Sequence, residues 1–251
     1  MKTKFLFLTT AVLLFFSCNA EDGFESKPDV KENVLSISVS DARLENQTRA
    51  AHEGFATTFA NGDAIGVYAV SGNKKVMLAN MKVTRTAGVW TPEEDIEYSS
   101  DYSYYAYFPW KASPTNGPAV DDILDANDVD TGFHDMIDSW TIVSDQSTEA
   151  NYQLSDLMMG KAVVTNKNLS FPLYHKMGLF YWKNKGYTSG GVKHTDNTVT
   201  ISEPTYKPFE KSSKVYYIGK PGTTYSFKAF SAKAPASGCY ISYGVFVAYN
   251  L

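Results

Sequence analysis

The chain has 251 residues, 43% hydrophobic and 14% aromatic, and its 23 basic and 27 acidic side chains leave a net charge of −4. No basic stripe stands out, which argues against a nucleic-acid partner. Two cysteines cannot support a disulfide-built fold, and beyond residue 18 no stretch is apolar for long enough to cross a bilayer as a helix.

Lys2 and Lys4 form a short basic start, residues 5–16 are almost unbroken in their apolar character, and Ser17 places a small residue before Cys18. That order predicts a secretory signal over residues 1–17. Twelve helical residues span only about 18 Å, well short of the ~30 Å hydrocarbon core. A cysteine at the cleavage point resembles the lipobox of bacterial lipoproteins, in which that residue is acylated and becomes the mature N-terminus. The alternative is an ordinary cleaved signal with Cys18 incidental. Lipidation implies anchoring to outer-membrane lipid through Cys18 and leaves Cys239 as a small apolar core residue. Residues 18–33, with Glu21, Asp22, Glu25 and Asp29, read as a flexible acidic tether.

Residues 34–40 are the first clear strand, with Leu35, Ile37 and Val39 on one face and serines on the other. Residues 41–51 are polar and unpatterned, and hold Arg43 and Arg49. Further strands are predicted at 65–70, 77–84 and 101–110; in the last, Tyr102, Tyr104, Ala106 and Phe108 share one face and Tyr105 and Tyr107 the other. A long loop follows over 111–135. A short strand is expected at 139–143, and any helix is confined to a turn or two near 155–159. The second half shows strands at 168–173, 177–182, 198–201, 214–218, 224–230 and 239–249, separated by glycine and proline turns. The expectation is an all-β protein built from β-sandwiches.

Several segments in order carry a resemblance. They are Cys18, the strand at 34–39, Thr48-Arg49, and Phe59-Ala-Asn-Gly-Asp63-Ala-Ile-Gly-Val-Tyr68. Next come Tyr104-Tyr105-Ala-Tyr107-Phe108-Pro109, Ser155-Asp-Leu-Met-Met-Gly160, Leu169-Ser-Phe171-Pro-Leu173-Tyr-His175 and Pro235-Ala-Ser-Gly238-Cys-Tyr240. Together they resemble the fimbrillin family, the Mfa-like and type V pilin surface lipoproteins of Bacteroidales. The resemblance implies two tandem transthyretin-like Greek-key β-sandwich domains, at 34–165 and 166–251. It also implies a non-enzymatic structural or adhesive subunit of surface fimbriae, with other fimbrial subunits as partners. Assembly would follow donor-strand exchange: cleavage after Arg49, with Arg43 as second choice, releases the strand carrying Leu35, Ile37 and Val39, and a neighbour's strand fills the groove. The alternative for Arg49 is a plain solvated loop residue. Residues 239–249 read as the last core strand itself, so either this strand also donates onward or the protein accepts a strand without donating one, as a tip or accessory subunit would.

Signals for catalysis are weak. Asp130-Thr131-Gly132 matches the aspartic-protease triplet, but that chemistry needs two carboxylates and no second triplet exists. Asp121, Asp122, Asp125, Asn127, Asp128 and Asp130 crowd like a calcium loop, yet Val129 and Asp130 stand where a ligand and a glycine belong. Ser71 and Lys74 match Ser-x-x-Lys in a hairpin-like turn without companion motifs. His52, His134, His175 and His194 lie far apart, and His175 reads as a structural histidine at a core strand edge. No enzyme activity, metal or cofactor is expected. The rival class is a surface glycan-binding lipoprotein, with Trp110 and Trp140 flanking the long loop as the candidate stacking platform.

Overall fold

The computed structural model describes residues 34–42, 57–114, 116–117, 129–183, 187–189, 192–194, 199–200, 205–212, 214–227, 230–234 and 240–245. Eight strands form the first sheet: β1 (Ser36–Asp41), β2 (Ala64–Ser71), β3 (Val76–Thr86), β4 (Val89–Pro92), β5 (Tyr102–Phe108), β6 (Met158–Lys161), β7 (Val163–Thr165) and β8 (Asn168–His175). They lie in the order β1-β8-β6-β5-β2-β3-β4, with β7 also paired to β8. The β1–β8 pair is parallel and the other pairs in this sheet are antiparallel. A bridge between Val34 and Glu97, and the Leu35 amide donating to the Ile96 carbonyl at 3.0 Å, bring the entry to β1 against the segment following β4. The sheet thereby wraps around an apolar interior.

Strand periodicity of two assigns the side chains to two cores. Ile65, Val67 and Ala69 of β2 and Tyr104, Ala106 and Phe108 of β5 point into the first, which the leading strand also lines. Tyr68, Val70, Tyr105 and Tyr107 point the other way into the second. Among the described residues, three short helices lie between β5 and β6: α1 (Val129–Gly132), α2 (His134–Ser139) and α3 (Glu149–Ser155). Phe133 meets Tyr68 and Tyr105 with ring centroids 5.6 and 5.8 Å apart, and Trp140 meets Tyr107 edge-on. Thr148 caps α3 by accepting from the Asn151 amide at 3.2 Å.

The second half contributes β9 (Gly178–Lys183), β10 (Tyr187–Ser189), β11 (Val192–His194), β12 (Val199–Thr200), β13 (Thr205–Tyr206), β14 (Phe209–Lys211), β15 (Lys214–Gly219), β16 (Thr224–Phe227), β17 (Phe230–Lys233) and β18 (Tyr240–Val245). Two four-stranded sheets result, β14-β15-β9-β18 and β13-β12-β16-β17, beside the β10–β11 pair. The second core continues into these sheets through Phe180, Tyr217 and Tyr225. Gln146 joins the halves as a strand would: its Nε2 donates to the Ile218 carbonyl and its Oε1 accepts from the Ile218 amide, both at 3.0 Å.

The all-β expectation matches the strands and the sandwich-like packing of sheets. Three finer expectations need correction. The boundary at 165/166 falls between β7 and β8 of one sheet, because β8 pairs with β1 and β6 and completes the first sheet. Residues 158–161 are strand rather than helix; α1 and the start of α2 lie in the expected loop over 111–135, and α3 ends at Ser155, where the expected helical turn begins. No strand forms at 139–143: Trp140 and Ile142 are buried in alternation, but the segment follows α2 without joining a sheet.

Candidate functional site

β1 is buried on its inward face and paired mainly along one edge. Leu35 and Ile37 are 3% and 9% exposed in the first core, and Val39 packs against it half-buried. On one side β1 pairs with β8 over six residues, from Ser36–Asn168 to Asp41–Leu173. Beyond the single bridge at Val34, its other edge joins no strand among the described residues. Its inward face is apolar while its backbone is held mainly by one neighbour, and parallel pairing is slightly the weaker kind.

Periodicity continues past the apolar residues. Leu35, Ile37, Val39 and Asp41 share the inward face, and on β8 Leu169, Phe171, Leu173 and His175 do the same. The two series end in an ion cluster. Both oxygens of Asp156, just after α3, accept from His175 Nδ1 at 2.8 and 3.0 Å. Asp41 Oδ1 lies 3.3 Å from His175 Nε2. The three side chains are 3%, 9% and 7% exposed for His175, Asp156 and Asp41. Burial pushes the imidazole pKa down, but Asp156 and then Asp41 overcome it and raise the pKa to about 10. His175 is therefore an imidazolium at neutral pH, hydrogen-bonded to Asp156 through Nδ1 and ion-paired with Asp41 through Nε2.

Asp41 also holds the chain that follows it. Its Oδ2 accepts from the Thr57 amide at 2.6 Å, and the Ala42 amide donates to the Leu173 carbonyl at 2.9 Å. One carboxylate thus joins the end of β1 to the far end of segment 43–56. Arg43 and Arg49, the expected processing residues, lie in that segment outside the described residues, as do Cys18, Cys239 and His52. A cleft of about 480 Å³ opens beside His175 and Asp156. Its walls include Tyr152, stacked on Phe209 with centroids 5.2 Å apart, and the Glu149–Lys211 ion pair at 3.4 Å.

The two candidate platform tryptophans are not equivalent. Trp140 is 3% exposed, set against Tyr107 and capped by Lys111 Nζ 3.5 Å from its ring centroid, so it presents no face to a sugar. This corrects the paired-platform expectation. Trp110 is half-buried with Lys82 Nζ 4.6 Å from its centroid.

The enzyme-like motifs resolve into structure. Asp130-Thr131-Gly132 forms most of α1, and Asp130 pairs with Lys176. Ser71 bonds Asn73 and Lys75 within the β2–β3 turn. Residues 121–128 of the acidic run lie outside the described residues. Among the described residues no group of three His, Cys, Asp or Glu side chains is arranged to hold a metal. Asp41 and Asp156 flank opposite ring nitrogens of His175 rather than converging on a shared point. Among those residues, too, no helix is long and apolar enough to cross a membrane.

Comparison with known proteins gives the fold and site a family. Residues 48–178 match the family described as "Fimbrillin-like". Over 181 residues the chain is 29% identical to the curated protein named "Putative fimbrium tip subunit Fim1C" from Bacteroides ovatus, an alignment covering 67% of this chain and 32% of the relative. The crystal structure of a fimbrial protein from Bacteroides ovatus superposes with a TM-score of 0.63 at 22% identity, covering 85% of this chain and 49% of that one. The chain spans about a third of the curated relative and about half of the solved structure. With the family match extending from the segment after β1 through β8, the chain belongs to the fimbrillin-like family.

Proposed function

We propose that this protein is a non-enzymatic structural or adhesive subunit of cell-surface fimbriae. It is exported through residues 1–17, tethered to the outer membrane through acylated Cys18, and joined to other subunits by strand exchange at β1. Cleavage after Arg49 separates β1 from the body, and a strand from another subunit takes its place. The observation that carries the reading is the placement of β1: its inward side chains enter the first core while β8 supplies nearly all of its backbone pairing. A groove emptied of such a strand exposes unpaired backbone and apolar pockets together, and another strand satisfies both. A tip or accessory position draws support from the name of the Bacteroides ovatus relative.

Digestion of the folded, mature chain with an Arg-specific protease tests this. The expected result is one cut near Arg49, departure of the segment carrying Leu35, Ile37 and Val39, and strand-exchanged oligomers afterwards. Resistance of segment 43–56, or a cut chain that stays monomeric with β1 in place, contradicts it.

A further inference from the structure

We infer that the β1 groove selects its incoming strand by charge as well as by hydrophobicity, requiring a carboxylate where Asp41 now meets His175. The inference rests on the strand-exchange reading and adds the chemistry of the partner. A strand replacing β1 in the same parallel register places its inward residues where Leu35, Ile37, Val39 and Asp41 sit. The first three positions meet the apolar core. The fourth meets Nε2 of a buried histidine whose other nitrogen Asp156 already occupies.

An apolar residue at that position removes the carboxylate 3.3 Å from Nε2 and leaves the buried cation with Asp156 alone as counter-charge, so its desolvation is less well offset. A lysine adds a second positive charge to the same enclosed place, and like charges there repel strongly. An asparagine supplies an acceptor but no charge. The pattern recognised is apolar-x-apolar-x-apolar-x-acid, and the spacing has no slack because a shift of one residue turns every side chain to the opposite face. Residues 239–251 of this chain contain no acidic residue, so they do not fit the pattern. The occupant is a strand supplied by another subunit that carries the acid at this fourth inward position.

Labelled synthetic peptides spanning residues 33–42 provide the test, offered to the full mature chain after Arg-specific cleavage with dissociation followed by fluorescence anisotropy. The native peptide is expected to be held longest, then Asp41→Asn, then Asp41→Ala and Asp41→Lys. Loss of the carboxylate should speed release at least about tenfold, and a peptide of residues 240–251 should be held no better than Asp41→Ala. Equal release rates across the series overturn the charge requirement and leave strand exchange standing. If no peptide enters, the native one included, strand exchange itself fails and takes the inference with it. The uncut chain offers a second reading that needs no cleavage: Asp41→Ala should speed amide hydrogen exchange in β1 about tenfold relative to β5. Unchanged protection of β1 in that variant also overturns the inference.

Discussion

At His175 two opposed forces act on one imidazole. Burial favours the neutral ring, while carboxylates on either side favour the charged one and prevail, raising the pKa from 6.5 to about 10. A raised histidine pKa stabilises the fold in full below roughly pH 6.5, and that contribution is lost as the pH climbs through about 10. The other groups near it are Tyr152 and Glu149 of α3, Lys211 and Lys214 across the cleft, and Lys176, paired with Asp130. Burial, aided by the Asp156 charge, holds the Tyr152 hydroxyl protonated well above its ordinary range, so it stays neutral through this window. The thermal midpoint of the native protein should therefore fall more steeply between pH 7 and roughly pH 10 than that of His175→Gln. Parallel pH profiles would show that the cluster contributes nothing. Trp140 makes a second prediction at this scale: Trp140→Ala should cost about 3–5 kcal/mol in urea unfolding. A variant of native stability that had lost only sugar binding would restore the platform reading.

Among the elements, β5 was legible in the sequence and β6 was not, for one physical reason. Along β5 Tyr104, Ala106 and Phe108 enter the first core and Tyr105 and Tyr107 the second, and the strand is legible because Tyr and Phe, strong strand formers, fill five of its seven positions. β6 is short, with Met158 in one core and Met159 in the other, so its sequence shows an apolar pair without alternation. Gly160 continues β6 because a Cβ there would lie 2.0 Å from the Pro172 carbonyl oxygen on β8. Gly160→Ala must push β6 from β8 and should destabilise the fold by about 1–3 kcal/mol or more; an unchanged urea midpoint would contradict this close approach. The segment containing Gln146 was equally invisible, since a lone glutamine does not announce that it stands in for a strand. Gln146→Leu leaves the Ile218 amide and carbonyl unpaired, on the order of 1–3 kcal/mol for each group. A loss under about 0.5 kcal/mol, the scale of an ordinary surface change, would mean that water replaces the amide. The meeting of Asp41 and His175 did leave a trace: each ends an apolar alternation on its inward parity. Sequence reasoning stopped at Val39 and assigned Asp41 to the polar loop.

For the whole molecule, the proposed exchange involves a strand held mainly along one edge and a core that needs it. Burying Leu35 and Ile37 is worth about 1.5–3 kcal/mol each, so an empty groove is costly and a filled one is retained. Segment 43–56 follows directly from the strand that its cutting would free, and Asp41 ties the two ends of that segment together. The half of the chain beyond β8 has a core continuous with the first half through Tyr217 and Tyr225, and β8 belongs to the first sheet, so the pattern of strands and turns around residue 165 marks no break between sheets. The most direct test of the account is native mass spectrometry of the folded, mature chain after Arg-specific cleavage, with an excess of labelled peptide 33–42 present. The prediction is a body that has lost its original leading segment and carries one labelled strand in its stead. A body that keeps its own segment indefinitely, with no label taken up, would contradict it.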